Sequence, residues 1–289
     1  MKPKAEAGTY ALLAVGLTVL VACAGSVAPD AAAPDLRGNA PAARMAPAQP
    51  APAAGFFAPG MAPSALATIP PAPKEGDARN AADWEIFRKT RSLEGSERWA
   101  LAQADDSYRP ADLLKNFSCS VGVTLTPENS PTLASILGRT TIDAGLAAEG
   151  AKQVYRRARP FLHNPGNICI ARTEGLEKSF DYPSGHASLG WMAGLVMAQL
   201  APDRASQALA RGRAYGESRV VCGLHNMSAV EAGRTNAAGV FAALQGLPDY
   251  RAAMEKAQAE FAAARASSPA PEAAACAKEA ELIKPLAVD

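Results

Sequence analysis

"PSGHASLGWMAGLVMAQLA", residues 183–201, is the stretch that decides how this chain folds. Ser184 can cap a helix, and from Ala187 to Ala201 no residue is charged. The run falls short of the about 20 residues a bilayer span needs, so it reads as a helix buried in a protein core. Pro202 sets its limit. Outward from it the pattern stays helical. "RASQALARGRAYGESRVVCGLH", residues 204–225, continues as helix, with Gly223 as an irregularity. "DYRAAMEKAQAEFAAARA", residues 249–266, is Ala-rich and amphipathic. Upstream, Ser130 and Pro131 mark a helix start, with a capping hydroxyl and proline at the first helical position. Leu133, Ile136 and Leu137 form one stripe, and the helix is expected to run to about Arg157. "AADWEIFRKTRSLEGSERWALAQAD", residues 81–105, offers Trp84, Phe87, Leu93 and Trp99 to the core. No run alternates as a strand does, so the class is all-α.

The 289 residues are 48% hydrophobic and 20% charged, enough for one globular domain with extensions. A net charge of +1 gives no bulk nucleic-acid footprint. Residues 1–22 read as a signal peptide: Lys2 and Lys4, then an apolar run from Tyr10 to Ala22. The run ends "LVAC", Leu20–Cys23, which resembles a bacterial lipobox with Cys23 as the lipidated residue. Ala22-Cys23-Ala24 also fits ordinary cleavage between small residues. Residues 23–75 are Ala- and Pro-dominated and read as a disordered linker; the domain is expected to span 76–289. Cys119, Cys169, Cys222 and Cys276 remain, an even count in an exported chain that suggests two disulfides. Three pairings are open, and Cys276 makes sense as a staple for the tail.

Three segments concentrate chemistry. In "KQVYRRARP", residues 152–160, Lys152 and Arg159 lie seven apart, near two helical turns and about 10 Å of rise, so their stems can converge on one anion. In "YPSGHAS", residues 182–188, Gly185 lets a ligand approach the backbone and the helix N-terminus offers N–H groups to a phosphate. His186 sits in that first turn. "SRVVCGLHNMSAVEAGR", residues 218–234, adds Arg219, suited to a two-point phosphate grip, and His225. Singly, these fit a solvated basic face and a plain capped helix.

In order, they resemble the three-part motif of the phosphatidic acid phosphatase type 2 (PAP2) and vanadium haloperoxidase superfamily: K-x6-R-P, P-S-G-H and S-R-x5-H-x3-D. Gaps of 22 and 31 residues separate the parts here. The flanks "EGSERWALAQAD", "DYPSGHASLGW" and "RGRAYGESRVVCGLH" are similar to bacterial class A nonspecific acid phosphatases, over roughly residues 65–265. The resemblance implies a compact helical bundle. It implies that Lys152, Arg159 and Arg219 hold phosphoryl oxygens, with Ser184 and the Gly185 N–H. It implies that His225 attacks phosphorus and His186 protonates the leaving alcohol, with no metal or other cofactor. The expected partner is a phosphate monoester, with membrane contact only through an N-terminal lipid, no nucleic acid, and a homo-oligomer left open. The expected location is the periplasm or the periplasmic side of the outer membrane.

The sequence departs from the motif at its last position, where the Asp that orients the nucleophile is Ala229. Loss of an orienting carboxylate costs on the order of 10²–10⁴-fold in turnover. Glu231 is turned about 240° away on a helix, while Ser228 and a trapped water remain as neutral substitutes. Asn226 stands where these phosphatases carry Trp. The reading is therefore an exported acid phosphatase weakened at Ala229, with a non-catalytic phosphate binder as the alternative. A haloperoxidase is disfavoured by the flanks, and an integral lipid phosphatase by the missing spans.

Overall fold

The computed structural model describes residues 54–164 and 166–286. The signal segment, Cys23 and the first part of the Ala/Pro stretch lie outside the described residues. Among the described residues, ten α-helices follow in order: α1 (Ala78–Arg91), α2 (Glu97–Ala104), α3 (Pro110–Val121), α4 (Pro131–Tyr155), α5 (Glu174–Lys178), α6 (Gly185–Leu200), α7 (Ala205–Val221), α8 (Met227–Leu244), α9 (Pro248–Ser267) and α10 (Ala273–Leu282). Single 3-10 turns cover Ala65–Ala67, Pro160–Leu162 and Pro202–Arg204. No strand occurs among the described residues, as the periodicity requires. None of the described helices is long and apolar enough to cross a membrane.

The uncharged run becomes α6, which packs against α4, α7 and α8. Leu189, Met192, Val196, Met197 and Leu200 are buried, joined by Leu133, Ile136 and Leu137 of α4 and Val240 and Leu244 of α8. α6 and α7 meet backbone to backbone: a Cβ on Gly212 would stand 3.0 Å from both the Gly190 carbonyl oxygen and Gly194 Cα. That approach brings the N-terminus of α6, with His186, against the C-terminal half of α7.

α4 begins at Pro131, but the Ser130 hydroxyl makes no cap to it and bonds Asn129 instead. The first turn is held by Glu260 of α9, which accepts from the Thr132 N–H (2.8 Å) and hydroxyl (2.5 Å). The helix stops at Tyr155, because Arg156 turns left-handed at φ +44°.

The Ala/Pro-rich stretch is shorter than its composition implied. Residues 54–75 lie on the helices, with Ala65, Ile69 and Ala72 buried. Asp143 of α4 accepts from the N–H groups of Phe56 (2.8 Å) and Phe57 (3.3 Å), and Arg139 stacks on the Phe56 ring at 3.6 Å. The Tyr182 hydroxyl donates to the Pro70 carbonyl at 2.7 Å. A Pro-rich segment donates few backbone hydrogen bonds of its own, and here side chains of the helical body supply the partners that composition cannot reveal.

Two disulfides settle the pairing left open by spacing. Cys119–Cys276 ties α3 to α10, and Cys169–Cys222 ties the loop after the Pro160–Leu162 turn to the end of α7. Cys276 does staple the tail.

Candidate active site

Lys152 leaves the last turn of α4, and Arg159 follows four residues after Tyr155, in extended backbone. The two are not on one helix, contrary to the expectation from their spacing. Pro160 disfavours helical backbone at the residue before it, and Arg159 takes φ −70°, ψ 146°. They still come together, near enough for the Arg159 charge to depress Lys152. Lys152 Cε stands 4.0 Å from where a Cβ on Gly185 would be. Arg159 Nη1 lies 2.9 Å from His225 Nε2 and also donates to the Leu224 carbonyl at 3.0 Å. Arg219 closes the turn that carries His225: its carbonyl accepts from the N–H of Leu224 (2.9 Å) and of His225 (3.3 Å). The exposed His163, the third histidine, takes no part.

Burial acts on every cation of this group, and repulsion by a neighbouring cation adds to it at Lys152 and Arg159. Lys152 is pushed down to about 8 by burial and by Arg159, and Arg159 to about 10 by burial and by Arg219. Arg219 is lowered by burial, against the pull of Asp106, whose carboxylate lies 2.9 Å from its Nη1. Its Nε has no hydrogen-bond partner among the described residues. Such a cluster is stabilised by an anion, and a tetrahedral oxyanion has the acceptors to meet it.

Ser184 caps α6, its hydroxyl oxygen accepting from Ala187 N–H at 3.2 Å. Its own N–H donates to the Ala229 carbonyl at 2.9 Å, a backbone tie between α8 and the N-cap of α6. His186 Nε2 lies 3.1 Å from the Asp105 carbonyl, which can only accept, so that nitrogen carries hydrogen. The ring stacks parallel to Tyr215 at 5.9 Å and meets the half-exposed Tyr108 edge-on at 5.5 Å. The Asp105 carboxylate is gripped by Arg211 through two bonds and by the Ser218 hydroxyl at 2.6 Å. One residue thus ties the Ser218–Arg219 pair to His186.

His225 is 3% exposed. Its Nδ1 lies 2.9 Å from Asp181 Oδ1 and 2.8 Å from the Asp181 carbonyl oxygen. Both are acceptors, so Nδ1 carries the hydrogen. Nε2 faces a guanidinium, which has no lone pair, so Nε2 offers its own. Burial and the cations Arg159, Lys152 and Arg219 hold the imidazole well below its ordinary value, and His186 is lowered likewise by burial and Arg219.

The imidazole therefore does have a carboxylate partner, which corrects the expectation drawn from Ala229. Asp181 comes from the loop before α6 rather than from α8, and is fully buried. Its Oδ1 accepts from the Asn226 N–H (3.1 Å), and its Oδ2 from the Asn226 side-chain amide (2.8 Å). Arg157 Nη1 lies 3.4 Å from Oδ2. Burial raises the Asp181 carboxyl above its ordinary range, and Arg157 and Asn226 offset only part of that rise. Ser228 is turned away, since its hydroxyl and N–H both bond Asp83 (2.5 and 2.8 Å), and Glu231 is exposed. The space at position 229 is filled: the Ala229 methyl packs with Tyr182, Ala151 and Ala232. Sequence reasoning passed over Asp181, Asp105 and Arg157. The available signal was an acid between Phe180 and Tyr182, where an apolar loop has no other use for one.

Residues 133–251 match the PAP2 superfamily. An acid phosphatase of Zymomonas mobilis subsp. mobilis is 40% identical over 212 residues, 73% of this chain and 80% of that protein. A non-specific acid phosphatase of Providencia stuartii is 35% identical over 199 residues, 68% and 80% of the two chains. One of Salmonella typhimurium is 34% identical over 195 residues, 67% and 78%. Motif, helical fold and these likenesses agree: the chain belongs to the PAP2 superfamily, among its bacterial non-specific acid phosphatases.

Proposed function

We propose that this chain is an acid phosphatase that hydrolyses phosphate monoesters through a phosphohistidine at Nε2 of His225. The observation that carries the reading is the placing of His225 Nε2 2.9 Å from Arg159 Nη1, under the charges of Lys152, Arg159 and Arg219. A phosphoryl group seated among those cations, with Ser184 and the N-terminus of α6 as further donors, lies in line with the Nε2 lone pair. Nε2 forms a bond to phosphorus while the ester P–O bond breaks. The leaving alkoxide takes a proton from His186, on the side where Tyr108 faces solvent. Water then attacks the phosphohistidine, gives a proton to His186, and leaves phosphate and free Nε2. The bound dianion raises the His186 pKa, which makes proton donation available in acidic solution. The weakening expected from Ala229 rested on an imidazole without a carboxylate; with Asp181 in place, no such weakening is part of the proposal.

Export through residues 1–22 and lipid attachment at Cys23 complete the reading, with the domain on the periplasmic side. Two disulfides suit an oxidising compartment. Palmitate labelling of the intact chain, lost in Cys23→Ser, checks the anchor.

The test of the activity is hydrolysis of p-nitrophenyl phosphate in acidic buffer containing a chelator, with alkaline quench and detection of phosphohistidine. Turnover and a label that disappear in His225→Ala are expected. A folded protein that binds phosphate or vanadate without turnover overturns the reading in favour of a phosphate binder.

A further inference from the structure

We propose that Asp181 is the positioning carboxylate of this enzyme, replacing from the loop before α6 the acid that α8 lacks at Ala229. The inference rests on the phosphatase reading for its kinetic part only; its structural part stands by itself.

Three observations meet at this residue. First, every polar contact of its side chain is with a donor: His225 Nδ1, both N–H groups of Asn226, and Arg157. The donors around this buried carboxyl favour its charged form and offset part of the burial that raises it. Second, the departure from the family motif at Ala229 and the unusual Asn226 beside His225 are explained together. Ala229 fills the position on α8 with a methyl in an apolar cluster, and Asn226 sends its amide to Asp181 instead of capping α8. Third, Arg157 is fixed by Asp83 (2.9 Å), Asn80 (2.9 Å) and the Ser228 hydroxyl (2.9 Å), so its charge beside Asp181 is placed in advance.

The role follows from charge. When Nε2 bonds to phosphorus, the neutral ring becomes a phosphoimidazolium and gains one positive charge. Lys152, Arg159 and Arg219 all oppose that charge; among the described residues, Asp181 is the anion in contact with the ring. It also fixes the hydrogen on Nδ1 and so leaves the lone pair on Nε2. Asp181 touches neither phosphate nor leaving group, so it acts through His225.

The test has two readouts. In ¹⁵N spectra of histidine-labelled protein, His225 is expected as the Nδ1–H tautomer; the Nε2–H tautomer in the folded wild type overturns the proposal, whatever the activity. In kinetics, Asp181→Asn is expected to lower kcat by about 10²–10⁴-fold, with KM and inhibition by phosphate unchanged because the cations stay in place. Retention of the wild-type kcat overturns it. Ala229→Asp is expected to give no gain, since a second buried carboxylate enters an apolar cluster and competes for one N–H; a large rise in kcat shows instead that α8 is the proper source of the acid, and also overturns it. Should Asp181→Asn not fold, the wild-type spectrum and Ala229→Asp still decide. A wild type without turnover removes the phosphatase reading alone, and the tautomer then judges Asp181.

Discussion

Asp181 Oδ1 and His225 Nδ1 stand 2.9 Å apart although 44 positions separate the two residues in the chain. Through this contact, the segment that builds the N-terminus of α6 also orients the imidazole beside it. One short loop therefore controls both the phosphate seat and the nucleophile.

The cation cluster sets the first prediction. Arg159→Ala and Arg219→Ala should each lower kcat/KM by about 10²–10³-fold, the usual loss for a preorganised transition-state donor. Inorganic phosphate should raise the melting temperature of the wild type by ligand linkage and raise it much less in either variant. Initial rates and thermal melts check both halves. A variant with wild-type kcat/KM removes that residue from the phosphate grip.

The buried imidazole of His225 sets a pH dependence. The unfolded ring titrates near 6.5, whereas the folded ring stays neutral well below that. Below about 6.5 the unfolded chain thus binds a proton that the folded chain refuses. Stability is full above that pH and is lost as pH falls, by up to about 1.4 kcal/mol per unit. Melting temperatures taken from about pH 7 down to about pH 5 should fall, and the fall should shrink in His225→Asn. The same neutrality keeps Nε2 available for attack in acid.

The disulfides should separate structure from catalysis. Cys222 lies between Arg219 and His225, on the turn that carries both. Cys169→Ser/Cys222→Ser should cost about 2–5 kcal/mol and lower kcat as well. Cys119→Ser/Cys276→Ser frees only the tail helix α10, so stability should drop while kcat holds. Paired melts and rates decide, and equal kinetic effects from the two double variants contradict the assignment.

Gly233 of α8 fixes how closely that helix approaches the loop before α6. A Cβ there would stand 2.4 Å from the Ser184 carbonyl oxygen and 3.2 Å from Ser188 N, both backbone atoms that cannot rotate away. Gly233→Ala should cost about 1–3 kcal/mol through overpacking and should reduce kcat, because Ser184 and His186 move with their backbone. An alanine variant with native stability and rate contradicts this.

Much was legible in the sequence because it depends on near neighbours. The uncharged run 187–201 could be satisfied only by burial as a helix, and α6 follows from it. Pro131 and Pro202 mark where helices start and stop because they act on their own turn. Lys152, Arg159, Ser184, Gly185, His186, Arg219 and His225 were named from the motif, and the fold brings them to one end of α6.

What tertiary structure alone decided are pairings between residues far apart in the chain. Position 229 asked for an acid and held a methyl, and no helical spacing points from there to Asp181. Composition marked residues 54–75 as linker, yet Asp143 and Tyr182 supply the hydrogen-bond partners that order them. Spacing left three disulfide pairings open, and the meeting of α3 with α10 chose one. Sequence periodicity fixes which face of an element is apolar; which buried donor meets which acceptor is fixed only when those faces pack, since an unpaired buried charge is too costly to leave.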